Sequence, residues 1–437
     1  MKNNDKIINI KFYNLSIVIL AILAIIMGLI PSRITAFVFL GAVVFSAFKE
    51  PTLAYAGWVM GYAFFSILTD ATGILGYFLL TPLILQGVII QIFKGGKFTI
   101  PVPLVVFSIS IIIVASFSWL FSRAPQENIM AFAMLLTAIF TMISMVNTIR
   151  NYKGAFGAIN QAYVFTAIAI FFVTVLSGDF LQVARLNIGD NIRRVANVTT
   201  PAIIMLYIEI IFLSKKDKKS IFNNRFPIWL VIFLFLLCLI VLLATASRGA
   251  YLGLIVSGFC VFLGNLVLLK AKSKPIKKII LYPLGIGGVW WAIRFVQGSA
   301  AGRYMSSFRV SSFGDNARWL IWMGGFVQMK GHEFIIGAGP NSFRQLALLS
   351  GYDYNPHSVW FDTFITLGLI GFSIFIIFTL FLLTKSINKR NLYSFGILSL
   401  SIGLYSTHGN LTGSMDFWAL LALCYGGIII DELNYKT

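Results

Sequence analysis

The sequence predicts an all-α protein that crosses a membrane many times, and three observations predict it. Of 437 residues, 58% are hydrophobic, only 11% are charged, and the apolar residues fall in long runs. Soluble domains carry about a quarter charged residues, so composition alone excludes that class. A net charge of +19 would suggest nucleic acid in a soluble chain, but here the charges sit in short runs between apolar stretches. No nucleic-acid role is expected.

Taken in order, Lys2, Lys6 and Lys11 precede an apolar run at 15–30. With no A-x-A cleavage site and further spans behind it, this run reads as an uncleaved anchor. Apolar runs between polar breaks then place spans at about 12–30, 34–48, 52–69, 73–93, 101–121, 128–147, 157–177, 199–214, 227–245, 249–269, 279–296, 357–383, 392–408 and 415–430. The expectation is therefore about 14 transmembrane helices. Of the connections assigned outside, only 178–198 and the much larger 297–356 are long enough to fold. Cys238, Cys260 and Cys424 lie inside apolar runs without C-x-x-C spacing and read as small core hydrophobes, not as a disulfide framework or zinc site.

With both termini in the cytoplasm, the cytoplasmic side holds 22 of the 34 basic residues, as the positive-inside rule requires. Inside, only Arg150, Arg225 and Arg390 are arginine; outside, 11 of 12 are, Lys330 being the lone lysine. Lysine serves as a diffuse topological charge, whereas the planar guanidinium fork suits bidentate contact with phosphate or carboxylate. Two readings stand for these outer arginines: they hold an anionic ligand at the outer membrane face, or they pair with lipid headgroups and with Asp179, Asp190, Asp315 and Asp353.

Arg248 lies in Ala-Ser-Arg-Gly-Ala-Tyr-Leu between two apolar spans, with no loop long enough to lift it into bulk water. A cation there either snorkels to headgroups or serves function, and Ser247 and Gly249 leave room for a ligand. In the large outer segment, Asp315 is placed to cap a helix carrying Trp319, Trp322, Met323 and Phe326 on an apolar face. Arg318 falls in its first turn, where a guanidinium and free backbone N–H groups can share a phosphate. Asn355-Pro356-His357-Ser358 opens the next apolar run, with Asn355 as the expected N-cap and Pro356 in the first turn. His357 then enters at a helix N-terminus, whose dipole disfavours imidazolium and leaves a neutral ring able to accept a proton.

Other polar residues carry less. Glu209 lies inside a span, where pairing with a neighbouring span and a role in the site are equally good readings. His332 reads as a solvated loop residue and His408 as a span-end residue. Arg193 and Arg194, close to Asp190, either hold a diphosphate or glycan or pair with acids. Gly368 and Gly371 have the spacing that permits close helix packing.

At Arg248, Arg318 and His357 the chain resembles the O-antigen ligase and O-antigen polymerase superfamily of bacterial envelope glycosyltransferases. The ligase pattern Arg-x3-Leu matches Arg248 to Leu252, and His-[Asn/Ser/Gln]-x9-Gly-x-x-[Gly/Thr/Tyr] matches His357-Ser358 through Gly368 to Gly371. The Arg-Trp segment at Arg318 and the turn Gly337-Ala-Gly-Pro-Asn-Ser-Phe343 are also similar to what precedes the histidine in this family. The resemblance divides the chain into an N-terminal transmembrane bundle (1–239), a ligase-like catalytic region (240–385) containing the outer segment 297–356, and C-terminal helices (386–437).

That resemblance implies a membrane-embedded fold of the lipid-linked-donor (GT-C-like) glycosyltransferase class. The implied reaction is inverting transfer of a glycan from a polyprenyl-diphosphate carrier to a sugar hydroxyl, either a lipid A core acceptor (ligase) or another carrier-linked repeat (O-antigen or capsule polymerase). It takes place in the bacterial cytoplasmic membrane, among membrane lipids, on the outer face. His357 suits the base on the acceptor hydroxyl, and Arg248 with Arg318 suit the departing diphosphate. No outer loop contains Asp-x-Asp, so neither metal nor other cofactor is expected. A lipid-linked oligosaccharide flippase or other transporter is the rival from another class, and the concentration of polar residues at one face argues against it.

Overall fold

A computed structural model describes residues 2–73, 99–123, 125–152, 154–177, 192–214, 226–245, 247–268, 317–351, 356–406, 409 and 411–434. Among them sixteen α-helices and no strands are present: α1 (Lys2–Leu29), α2 (Arg33–Lys49), α3 (Pro51–Ala63), α4 (Phe65–Thr72), α5 (Val102–Leu120), α6 (Pro125–Asn151), α7 (Ala155–Leu176), α8 (Ile192–Ser214), α9 (Ile228–Ala244), α10 (Arg248–Val267), α11 (Ala317–Val327), α12 (Gly331–Ile336), α13 (Ser342–Leu349), α14 (Val359–Asn388), α15 (Leu392–Tyr405) and α16 (Met415–Asn434). Twelve of the fourteen expected spans coincide with helices of this set; those at 73–93 and 279–296 lie outside the described residues.

Six described helices are long and apolar enough to cross a membrane, seven if α3 and α4 are taken as one broken span. The protein is thus an all-helical polytopic membrane protein. The expected span at 52–69 is not one straight helix: it breaks at Phe64 and bends by 87°. Neither Gly nor Pro occupies the break itself, and the residue there is tightly packed. Gly28 of α1 lies against Phe64 and against Val173 of α7, an approach that a side chain on Gly28 would block.

The chain forms two compact units, Met1–Phe98 with Thr148–Phe308, and Thr99–Asn147 with Arg309–Thr437. In the first, α7 packs against α1, α3, α8 and α9, and its buried face is built largely from alanine, glycine and β-branched residues that let helices approach closely. Of its long candidate spans α8 is the most enclosed, with 89% of its apolar window buried; all thirteen residues of the shorter α3 are buried.

In the second unit α14 packs on α5 and α15, and α15 packs on α16. Aromatic rings fill the contact, with Phe107 stacked on Phe378 at 3.9 Å and Phe375 set edge-on to Trp418. Hydrogen bonds supplement packing where hydrophobic driving force is small: Asn391 Nδ2 donates to Gly427 O and to Asp431 Oδ2, both at 2.9 Å, and Ser394 Oγ donates to Cys424 O. A separate apolar cluster forms where α11 to α13 meet the start of α14. It buries Ile321, Met329, Phe343, Leu346 and Ile365, with Trp322, Phe326, Phe361 and Phe364 packed against them.

Candidate active site

The element that shapes the site is α14, a helix in two parts. Gly368 sits inside it at φ 64°, ψ −170°, a conformation close to glycine-only, so the helical path stops at Leu367 and restarts at Leu369. A break strips carbonyls of their intrahelical donors, and at membrane depth such groups must be satisfied by protein. The Gly337-Ala-Gly-Pro turn supplies the donors. Ala338 N–H donates to Ile365 O at 2.8 Å and Gly339 N–H to Thr366 O at 3.2 Å, while Ser118 Oγ of α5 also donates to Thr366 O.

The approach is so close that a Cβ on Gly337 would collide with the Thr366 carbonyl, and one on Gly368 with Gly337 N and Ile335 O. Both glycines have positive φ. Gly368 is therefore a backbone crossing, not the helix-packing residue expected from its spacing. Gly371 does keep the packing role: a Cβ there would press on Leu367 and on Val114 of α5.

His357 lies just before this broken helix. The helix does not begin at Pro356 under an Asn355 cap as expected; it begins at Val359, and Ser358 is the N-cap, its side chain accepting from Phe361 N–H at 3.4 Å. Asn355 itself lies outside the described residues. The reason is backbone geometry: His357 has φ 50°, left-handed, and cannot continue a right-handed helix. Holding a non-glycine residue there costs roughly 1–3 kcal/mol, which surrounding contacts must offset. One contact is visible: Trp322 Nε1 donates to Pro356 O at 2.6 Å, and the indole stacks on Phe361 with centroids 4.7 Å apart. His357 is half-buried and stands beside the helix N-terminus, outside its first turn.

Asp362, a residue that sequence reasoning passed over, sits one turn into α14 and is buried. Its Oδ2 accepts from Leu411 N–H at 2.7 Å, and Trp418 Nε1 donates to Leu411 O at 3.1 Å, so the α15–α16 connection is fastened to the helix that follows His357. The readable signal was an acid inside an apolar run, the criterion already applied to Glu209.

Arg318 is the second residue of α11; Asp315, its expected cap, lies outside the described residues. The buried face of α11 carries Ile321, Trp322 and Phe326, whereas Trp319 is 39% exposed and does not join the cluster as expected. The α11–α12 corner is clamped by Arg123, which donates from Nε and Nη2 to the two Glu333 carboxylate oxygens, each at 2.7 Å, and to Gln328 O at 2.6 Å. Glu333 also accepts from Lys330 N–H. Burial opposes its ionisation, but the Arg123 hydrogen bonds, the Lys330 N–H and the positive charge of Arg123 outweigh that and hold the carboxyl below the usual range. Nothing in the sequence announces this pair, 210 residues apart. His332 is exposed, as expected, and His408 lies outside the described residues.

Arg248, Arg193, Arg194 and Glu209 belong to the other unit. Arg248 is the first residue of α10, after a three-residue connection from α9 that is braced by Tyr251 Oη donating to Leu243 O at 2.7 Å. Arg194 lies over the rings of Phe65 at 3.6 Å and Tyr62 at 5.2 Å, so aromatic faces already engage it, whereas Arg193 is exposed. Glu209 is fully buried in α8. The described His, Cys, Asp and Glu residues contain no group of three arranged to hold a metal ion.

Arg248, Arg318 and His357 thus share one placement: each stands at, or two residues before, the N-terminal end of its helix. Such ends present unpaired N–H groups and favour negative charge. Residues 233–376 match the family described as O-antigen ligase, and over that segment the chain shares the pattern of the O-antigen ligase superfamily. The match takes in Arg248, Arg318, His357 and Gly368. A comparison with curated proteins returned no match.

Proposed function

We propose that the protein is an O-antigen ligase-like inverting glycosyltransferase, moving a glycan from a polyprenyl-diphosphate carrier to a sugar hydroxyl at the outer face of the bacterial cytoplasmic membrane. The observation that carries this reading is the ligase-family match across residues 233–376, which includes each residue the chemistry needs. The topology that goes with it has about 14 spans and both termini in the cytoplasm, with 240–385 as the catalytic region.

His357 takes the proton from the acceptor hydroxyl as its oxygen attacks the anomeric carbon from the face opposite the diphosphate. The bond from that carbon to the phosphate oxygen breaks, and polyprenyl diphosphate leaves with its new negative charge on Arg248 and Arg318. General-base help is worth about 10²- to 10⁴-fold, and arginine forks aimed at developing charge supply electrostatic stabilisation in a site of low dielectric. Arginine takes the part that a divalent ion takes elsewhere, a reading supported by the absence of Asp-x-Asp from the outer loops. Arg193 and Arg194 are weaker donor or glycan contacts, Arg194 because two rings already hold it.

The test is incubation of the purified protein with a polyprenyl-diphosphate oligosaccharide, with and without a lipid A core acceptor and with and without EDTA. Capped acceptor that survives chelation is the expected result. Ladders without added acceptor would make the protein a polymerase, and loss on chelation with recovery on Mg²⁺ would overturn the arginine assignment. No transfer, with carrier crossing the bilayer of proteoliposomes instead, would make it a flippase.

A further inference from the structure

We infer that Trp322 is a positioning residue that sets His357 against the helix carrying Arg318, an inference that rests on the proposed roles of those two residues. Its indole makes two contacts with the His357 segment, one on each side. Nε1 donates to the carbonyl of Pro356, immediately before His357, and the ring stacks on Phe361, one turn into α14. Between these fixed points lie His357 and its cap Ser358. The left-handed φ of 50° at His357 is the sharp turn that joins them, and two anchors on one rigid ring leave that turn little freedom.

The same tryptophan belongs to the helix that carries Arg318, four residues, or about one turn, further on. The ring therefore spans from the arginine's helix to the backbone that carries the base. Positioning of this kind acts on rate and not on affinity, because misplacing a reacting group by about 1 Å costs on the order of 10²-fold while leaving donor contacts intact. Trp319, on the same helix, is 39% exposed, whereas Trp322 packs against the buried cluster.

Trp322→Phe keeps a stacking ring and removes the N–H; benzothienylalanine at position 322 keeps the whole bicyclic shape and removes only the donor. Each is compared with the parent, with His357→Ala and with Trp319→Phe, in steady-state transfer and in carbethoxylation of His357 followed by mass spectrometry, with His332 as internal reference. The expected result is a kcat about tenfold lower with the donor KM within about twofold, and a changed His357 labelling rate at unchanged His332 labelling. Trp319→Phe should match the parent. Parental kcat and parental His357 labelling in the benzothienylalanine protein would overturn the inference, as would a rise in KM with kcat intact. If His357→Ala transfers at the parental rate, the base assignment is what has failed, and His357 labelling alone then decides whether Trp322 positions that segment.

Discussion

The two parts of α14 are continuous in sequence and opposite in construction. From Leu369 to Asn388 the chain is a plain span: 20 residues at 1.5 Å each make about 30 Å, the thickness of the hydrocarbon core. It turns Leu369, Ile377 and Leu380 outward and bonds its polar side chains back to its own turns. The part from Val359 to Leu367 is tied at almost every turn to something distant in sequence: Asp362 to Leu411, Phe361 to Trp322, Ile365 and Thr366 to the Gly337 turn. The second part is held by apolar packing, whereas the first is a helix that stops, so that its freed carbonyls take the N–H groups of the Gly337 turn.

The largest effect expected from this contrast is at the head of the first part. His357→Ala should lower transfer by about two to four orders of magnitude while leaving folding and donor binding nearly intact. Ile377→Ala, on the exposed side of the second part, should leave the rate unchanged; equal losses from both would erase the contrast.

Next come the arginines. Arg248→Lys and Arg318→Lys keep charge and lose the fork, and each should cost about 10²-fold in kcat. Lys216→Ala and Lys274→Ala should alter only insertion or expression, and equal tolerance of all four in the transfer assay would remove the argument from arginine bias.

The two glycines sharpen the boundary itself. Gly368→Ala forces a Cβ into the Gly337 backbone at a φ that side chains avoid, and should destabilise by about 3 kcal/mol or more and abolish transfer. Gly371→Ala presses on Leu367 Cβ, which no rotamer change relieves, and on a Val114 methyl, but it lies at an ordinary φ, and about 1–3 kcal/mol is expected. Thermal unfolding in detergent would rank them, and a larger loss at Gly371 would return both to simple helix packing.

The smallest effect belongs to the clamp on the loop. Because the Glu333 carboxyl is held below its ordinary value, its ion pair with Arg123 stabilises fully above about pH 4.3, the unfolded reference, and that stability is lost as pH falls further through the folded value. The protection of the 331–336 amides, measured as exchange relative to its intrinsic rate at each pH, should therefore fall only in acid. Arg123→Ala should reproduce that loss at neutral pH.

Read alone, the sequence marks the long apolar helices found among the described residues, though not the short α12 and α13, because a run of apolar residues long enough to cross a bilayer has few other ways to satisfy its backbone. It also singled out Arg248, Arg318 and His357, since charged and titratable groups stand out against an apolar background and their spacing carries the ligase pattern. Tertiary structure alone decided where helices break. The bend at Phe64 falls on neither glycine nor proline; Gly368 reads as a packing glycine until the Gly337 turn is seen against it. Likewise the start of α14 moved from Pro356 to Val359 because Trp322 and a left-handed His357 hold the chain out of the helix. Helices close their hydrogen bonds within four residues and can be read locally. The break at Gly368 and the Arg123–Glu333 pair close theirs with partners tens to hundreds of residues away, which only the folded chain brings together.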